Sequence, residues 1–156
     1  QDQENRGFVE PGPMNLRMGA AVAALAGLFV SAYLWLYKMG AIGTLACGTG
    51  GCETVQLSPQ SRFLGVEVAA IGAVGYALLL GLTLASLQPR WASSRRLLQV
   101  IAFLSGGAVL FTLYLKYLEL FVIHAICRWC VGSAILIVVF FTLILLELRR
   151  VRRQST

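Results

Sequence analysis

Apolar positions along this chain run together instead of recurring at a helical or strand period. Four uninterrupted stretches stand out, at about Met18–Tyr37, Val66–Leu87, Leu97–Tyr117 and Ile126–Leu148. Each is roughly 20 residues, or about 30 Å as a helix, which matches the hydrocarbon thickness of a bilayer. The pattern predicts four transmembrane helices and hence an all-α membrane protein, because a helix satisfies its own backbone groups in lipid. The first stretch is too long for a signal-peptide core and no small-residue cleavage site follows it, so it is expected to be retained. Residues 1–17, with Pro11, Gly12 and Pro13, are expected to form a flexible cytoplasmic lead-in, 18–148 the bundle, and 149–156 a basic cytoplasmic tail. Ala20, Ala24, Gly27, Gly72, Gly75, Gly106 and Gly107 are read as packing positions, since small residues let membrane helices approach closely.

Composition sharpens this picture. The chain is 58% hydrophobic and 13% charged, well below the roughly 25% charged residues of an average soluble domain. Its net charge of +6 does not indicate nucleic acid, because the basic residues form no face with interleaved aromatics. They cluster at the ends of the apolar runs instead. Arg6, Arg17, Arg90, Arg95, Arg96, Arg149, Arg150, Arg152 and Arg153 make nine on one side; Lys38, Arg62, Lys116 and Arg128 make four on the other. That bias predicts both termini in the cytoplasm, with the long first loop and the short third loop facing outward.

The cysteines then supply the chemistry. All four lie on the predicted outward side: Cys47 and Cys52 in the first loop, Cys127 and Cys130 where the third loop becomes the fourth span. Outward compartments permit disulfides, and the cysteine positions were not used to assign topology. Cys127-Arg-Trp-Cys130 opens a helix, so its sulfurs share a face and a disulfide can close between them. Free backbone N–H groups, the helix dipole and nearby Arg128 favour a thiolate there, which suits redox cycling. Gly48, Gly50 and Gly51 make the other pair's loop pliable, as a shuttle requires. Two structural disulfides in a non-enzymatic four-span scaffold are the rival reading, but a Cys-x-x-Cys closes almost no loop. A four-cysteine zinc site also fits the spacing, but an oxidising side is a poor home for four reduced thiolates. Covalent haem needs a histidine where Val131 stands, and His124 is the only histidine, so haem is excluded within one chain. The chain has no Gly-x-Gly-x-x-Gly nucleotide fingerprint, and no flavin or metal is expected. A thiol pair at the lipid boundary then points by elimination to an acceptor dissolved in lipid, a quinone.

Cys47 and Cys52, Ser58 six residues later, Gly65, Gly72-Ala-Val-Gly-Tyr76, and the stretch Tyr114 to Cys130 together resemble the vitamin K epoxide reductase family in its bacterial form. The resemblance covers nearly all of residues 18–148. It implies a four-helix bundle around a quinone of the menaquinone, ubiquinone or phylloquinone type, with a short helical cap in the first outward loop at about 53–63. Carried over residue by residue, Cys130 faces the quinone, Cys127 exchanges with Cys52, and Cys47 meets an external thiol protein. Ser58 supplies a supporting hydroxyl; without the family it reads as a turn cap before Pro59. Trp129 is expected to wall the quinone pocket or to anchor the interface. Many bacterial members have proline where Glu67 stands, so Glu67 is either a proton donor to the reduced quinone or a water-exposed interfacial carboxylate. Ala134 replaces a tyrosine of the vertebrate members, which weakens the case for epoxide reduction more than for quinone reduction. No thioredoxin-like domain is present, so a separate thioredoxin-like (DsbA-like) partner is expected, in a bacterial plasma membrane with the cysteines on the periplasmic side. Another four-span, quinone-linked family makes disulfides too, but there the quinone-adjacent pair precedes the loop pair; here the order is reversed.

Overall fold

A computed structural model describes residues 13–44 and 51–155. Four helices are long and apolar enough to cross a membrane: α1 (Pro13–Lys38), α3 (Val68–Leu87), α4 (Arg95–Leu118) and α5 (Arg128–Gln154). The first loop carries a short helix, α2 (Gly51–Leu57), a single 3₁₀ turn (Pro59–Ser61) and a two-stranded hairpin of β1 (Arg62–Phe63) and β2 (Val66–Glu67). The expected helical cap is therefore present. Leu64 and Gly65 both have positive φ, 52° and 83°, as a two-residue hairpin turn of the type I′ class requires. The hairpin rests on α4 through Phe63, whose ring lies 5.4 Å from that of Phe111.

The bundle is held by small residues. Ala20, Ala23 and Ala24 bring α1 against Tyr76, Leu79, Ile137, Phe140 and Ile144 of α3 and α5. A Cβ at Gly27 would collide with the Tyr76 ring, so α1 and α3 approach as closely as only glycine permits. Outside this core the surface stays apolar: Phe29, Val74, Phe103 and Leu110 are exposed on the bundle's periphery, where lipid solvates them.

The ends differ from the expected spans. α1 begins at Pro13, inside the segment expected to be a flexible lead-in, and α5 runs to Gln154, through most of the expected tail. Proline suits a first helical position, and Arg17 does not end the apolar helix because it is buried in an ion pair with Glu147 at 3.0 Å. The third loop is also shorter than expected. α4 continues as a π turn over Glu119–Ile123, which stops where His124 adopts a left-handed φ of 55°. Residues 1–12 and Thr156 lie outside the described residues.

Candidate active site at the outward end of the bundle

The left-handed turn at His124 breaks the chain direction, and α5 begins four residues later, at Arg128. Cys127 is its N-cap: the backbone there is extended, and Sγ accepts the Cys130 N–H at 3.3 Å. Cys127 is fully buried. Its thiol is lowered to about 7, chiefly by the hydrogen bond from the Cys130 thiol. Burial opposes that shift, the Cys130 N–H and the Gln56 amide reinforce it, and the Glu119 charge opposes it. This is the thiolate-favouring helix start expected from the spacing. Arg128, however, is exposed; hydrogen bonds rather than that guanidinium hold the sulfur. Cys127 and Cys130 are free thiols.

Over this helix start sits the cap. Cys52, in the first turn of α2, is disulfide-bonded and shares one apolar cluster with Leu34, Val55 and Cys127. The contact is intimate, since a Cβ on neighbouring Gly51 would collide with the Ile126 carbonyl oxygen. Cys47 lies outside the described residues. Four residues after Cys52, and so on the same helix face, buried Gln56 donates its side-chain amide to Cys130 Sγ at 3.4 Å. Lys38 clamps the cap from below. Its ammonium donates to the Gln56 carbonyl, to Ser61 Oγ at 2.6 Å, and pairs with Glu67 at 2.8 Å.

Beneath the cap, α1, α3, α4 and α5 enclose a cavity of ≈ 340 Å³. Its walls are mainly apolar, with Leu34, Ile71, Leu79 and Phe111 among them, and Gly72 and Gly75 let it approach the α3 backbone. A few polar groups converge on it: Cys130, Gln56, Gln60, Ser61, Lys116 and Glu119. Tyr76 closes one wall by donating its hydroxyl to the Ser133 carbonyl of α5 at 2.7 Å. An apolar cavity of a few hundred Å³ with a few directed polar groups is the usual form of a small-molecule site. A flat, uncharged ring system with polar oxygens at its edge, such as a quinone, fits these walls.

The expected site residues divide. Cys52, Cys127 and Cys130 come together around the cap–helix junction, and of these Cys130 lines the cavity. Ser58 does not line it; its hydroxyl turns back to donate to the Val55 carbonyl at 2.6 Å, which is the turn-capping role. Trp129 packs against Tyr33 with the rings tilted by 57° and their centroids 5.1 Å apart, and walls the cysteine cluster rather than the cavity. Glu67 also lies outside the cavity lining. Burial tends to raise its carboxyl, but hydrogen bonds and charge from Lys38 and Arg62 outweigh this and hold it below the usual carboxylate range. A carboxylate held low in this way is a poor proton donor, and its two ion pairs tie Lys38 and Arg62 to the start of α3.

Three cavity residues escaped the sequence reading: Gln56, Lys116 and Glu119. Gln56 had a signal in its i, i+4 spacing from Cys52. Lys116 and Glu119 had one as ionisable residues at the end of a span, where charge is costly and commonly functional.

Residues 19–145 match the vitamin K epoxide reductase family, a span that contains every cysteine, the cap and the whole cavity lining.

Proposed function

Since the chain belongs to the vitamin K epoxide reductase family, whose members are membrane oxidoreductases working on thiols and quinones, we propose that it carries electrons from a thioredoxin-like protein to a membrane quinone. A separate partner reduces the Cys47/Cys52 pair by attack at Cys47. The released Cys52 thiolate attacks Cys127 of an oxidised Cys127/Cys130 pair, and Cys130 leaves as thiolate into the cavity. Cys47, freed as the partner closes its own disulfide, then takes Cys52 back; Cys127 leaves as thiolate, and Cys130 takes up one of the two protons released by the partner's thiols. Each exchange passes through a mixed disulfide. A quinone bound in the cavity supplies a two-electron, two-proton acceptor. The chain's residues set the direction: Cys130 is presented to the cavity, while Cys127 is kept in a dry cluster with Cys52. That only Cys130 of the helix-start pair lines the cavity, while Cys127 is fully buried beside Cys52, is the observation that carries the reading. Gln56, donating to the cavity-side sulfur, stabilises the leaving thiolate. The charge bias supports an outward position for this chemistry, on the side where disulfides are made, which in a bacterial plasma membrane is the periplasmic face.

The test is trapping combined with turnover. With Cys130→Ser, a Cys52–Cys127 mixed disulfide accumulates and quinone reduction stops with any donor. With Cys47→Ser, reduction fails with a thioredoxin-like donor yet survives with a small dithiol. Recovery of a Cys47–Cys127 bond alone would reverse the order of the relay. A scaffold with two permanent disulfides predicts cysteine labelling that never changes with respiration.

A further inference from the structure

Reduction of a quinone puts negative charge on its ring oxygens. In an apolar cavity that charge is costly unless a donor or cation meets it. Among the described residues lining the cavity, Lys116 is the one cation and Glu119 the one carboxylate. They form an ion pair at 2.8 Å. An i, i+3 pair on an exposed helix is worth only a few tenths of a kcal/mol, but this pair is not on an exposed helix face. Glu119 is 5% exposed and stands at the start of the π turn, a distortion often found at functional sites. Both charges act on Cys130, and that of Glu119 on Cys127 too.

Resting on the thiol-to-quinone reading above, we propose that Lys116 is the acid of the cavity: its ammonium meets the charge developing on a quinone oxygen and donates a proton there, with Glu119 holding it in position. The step balances. Starting from the Cys127 thiolate and the Cys130 thiol, an S–S bond forms and two electrons pass from the sulfurs to the quinone. One proton of the quinol comes from the Cys130 thiol and the other from the Lys116 ammonium, so the quinol forms neutral and the charge left in the cavity is that of the Glu119 carboxylate, which draws a proton back to Lys116. Neutral Lys116 is then reprotonated from water at the outer edge, where its side chain is 22% exposed against 6% for Glu119. Glu119 is a positioning residue, since it acts through the ammonium.

The experiment compares binding of two naphthoquinones to the full-length, detergent-solubilised protein by quenching of tryptophan fluorescence. Menadione is neutral. Lawsone is an ionised enol at neutral pH and carries its negative charge on the ring oxygens. Lys116→Met keeps menadione affinity and weakens lawsone by about tenfold or more, the size of one charge-assisted hydrogen bond. Lys116→Arg keeps lawsone affinity, because the guanidinium preserves the charge. With a small dithiol as donor, both variants lose turnover by about a hundredfold, since the guanidinium does not release a proton. Equal weakening of both naphthoquinones in Lys116→Met, or of neither, overturns the assignment, as does full turnover in either variant. If wild type binds neither naphthoquinone and reduces no quinone, it is the thiol-to-quinone reading that has failed.

Discussion

Gln56 concentrates the residue-scale chemistry. Its amide reaches Cys130 Sγ at 3.4 Å and also lowers the Cys127 thiol, so one buried side chain serves both sulfurs. The Cys127 thiol is lowered to about 7, so its anion is populated above that pH and disappears as pH falls through it. Ultraviolet thiolate absorbance of the reduced protein should therefore show an inflection near neutrality. In Gln56→Leu the inflection should move toward the ordinary cysteine range. Quinone reduction at neutral pH should fall by roughly tenfold to a hundredfold, the worth of a hydrogen bond to a charged group. An unmoved titration would remove Gln56 from the site. Ser58→Ala should change turnover by less than about threefold, since its hydroxyl serves only the turn. The contrast marks what was legible at this scale. Cysteine spacing announced the reacting sulfurs, because only a helix start gives Cys127 its cap. It did not reveal which polar side chain would face them. That depends on how α2 is seated over α5, a tertiary contact fixed by Gly51 lying against the Ile126 carbonyl.

Among the elements, the cap is joined to the bundle through Glu67 and Lys38. Lys38 at the end of α1, Arg62 on β1 and Glu67 before α3 tie three segments together. The Glu67 carboxyl is depressed from its ordinary 4.5. Its contribution is thus fully present above that value and is lost as pH falls through the lowered one. Hydrogen–deuterium exchange across 51–63 should be insensitive to pH from neutrality down to mild acidity and accelerate in stronger acid. Glu67→Gln should exchange faster already at neutral pH, by an opening free energy smaller by about 1 kcal/mol, the upper end for a partly solvated pair. Exchange identical to wild type would show that Lys38's bonds to Gln56 and Ser61 hold the cap alone. The four long helices were legible because lipid demands unbroken apolar runs; their ends were not. Arg17 marks the expected edge of the first span, but Glu147 of the fourth neutralises it inside the bundle. Lys116 and Glu119 likewise let α4 continue past its apolar run.

Across the whole molecule the two ends of the bundle divide the work. Redox groups, cap and cavity lie at one end. Arg17 lies 21 residues before Lys38 on α1, about 30 Å away at the rise of a helix. There its guanidinium donates to Glu147 Oε1 at 3.0 Å, to the Ser86 carbonyl at 2.5 Å and to the Ala92 carbonyl at 2.9 Å. One side chain thus gathers α1, the end of α3, the α3–α4 connection and α5. Glu147 is fully buried, and its second oxygen has no hydrogen-bond partner among the described residues. Removing the arginine alone therefore leaves a carboxyl stranded in an apolar interior. Arg17→Met should cost about 3–5 kcal/mol, the usual penalty for breaking a buried pair, and lower the unfolding temperature in detergent. The double variant Arg17→Met with Glu147→Met should recover most of that loss, because two apolar side chains of similar volume replace the pair without an orphaned charge. Its quinone reduction with a small dithiol should match wild type, since the cavity and the sulfurs stand at the far end. A double variant as unstable as the single one would mean that the carbonyl bonds to Ser86 and Ala92, rather than the ion pair, close this end of the bundle. If the double variant were stable but inactive, the two ends would be coupled through the helices that join them.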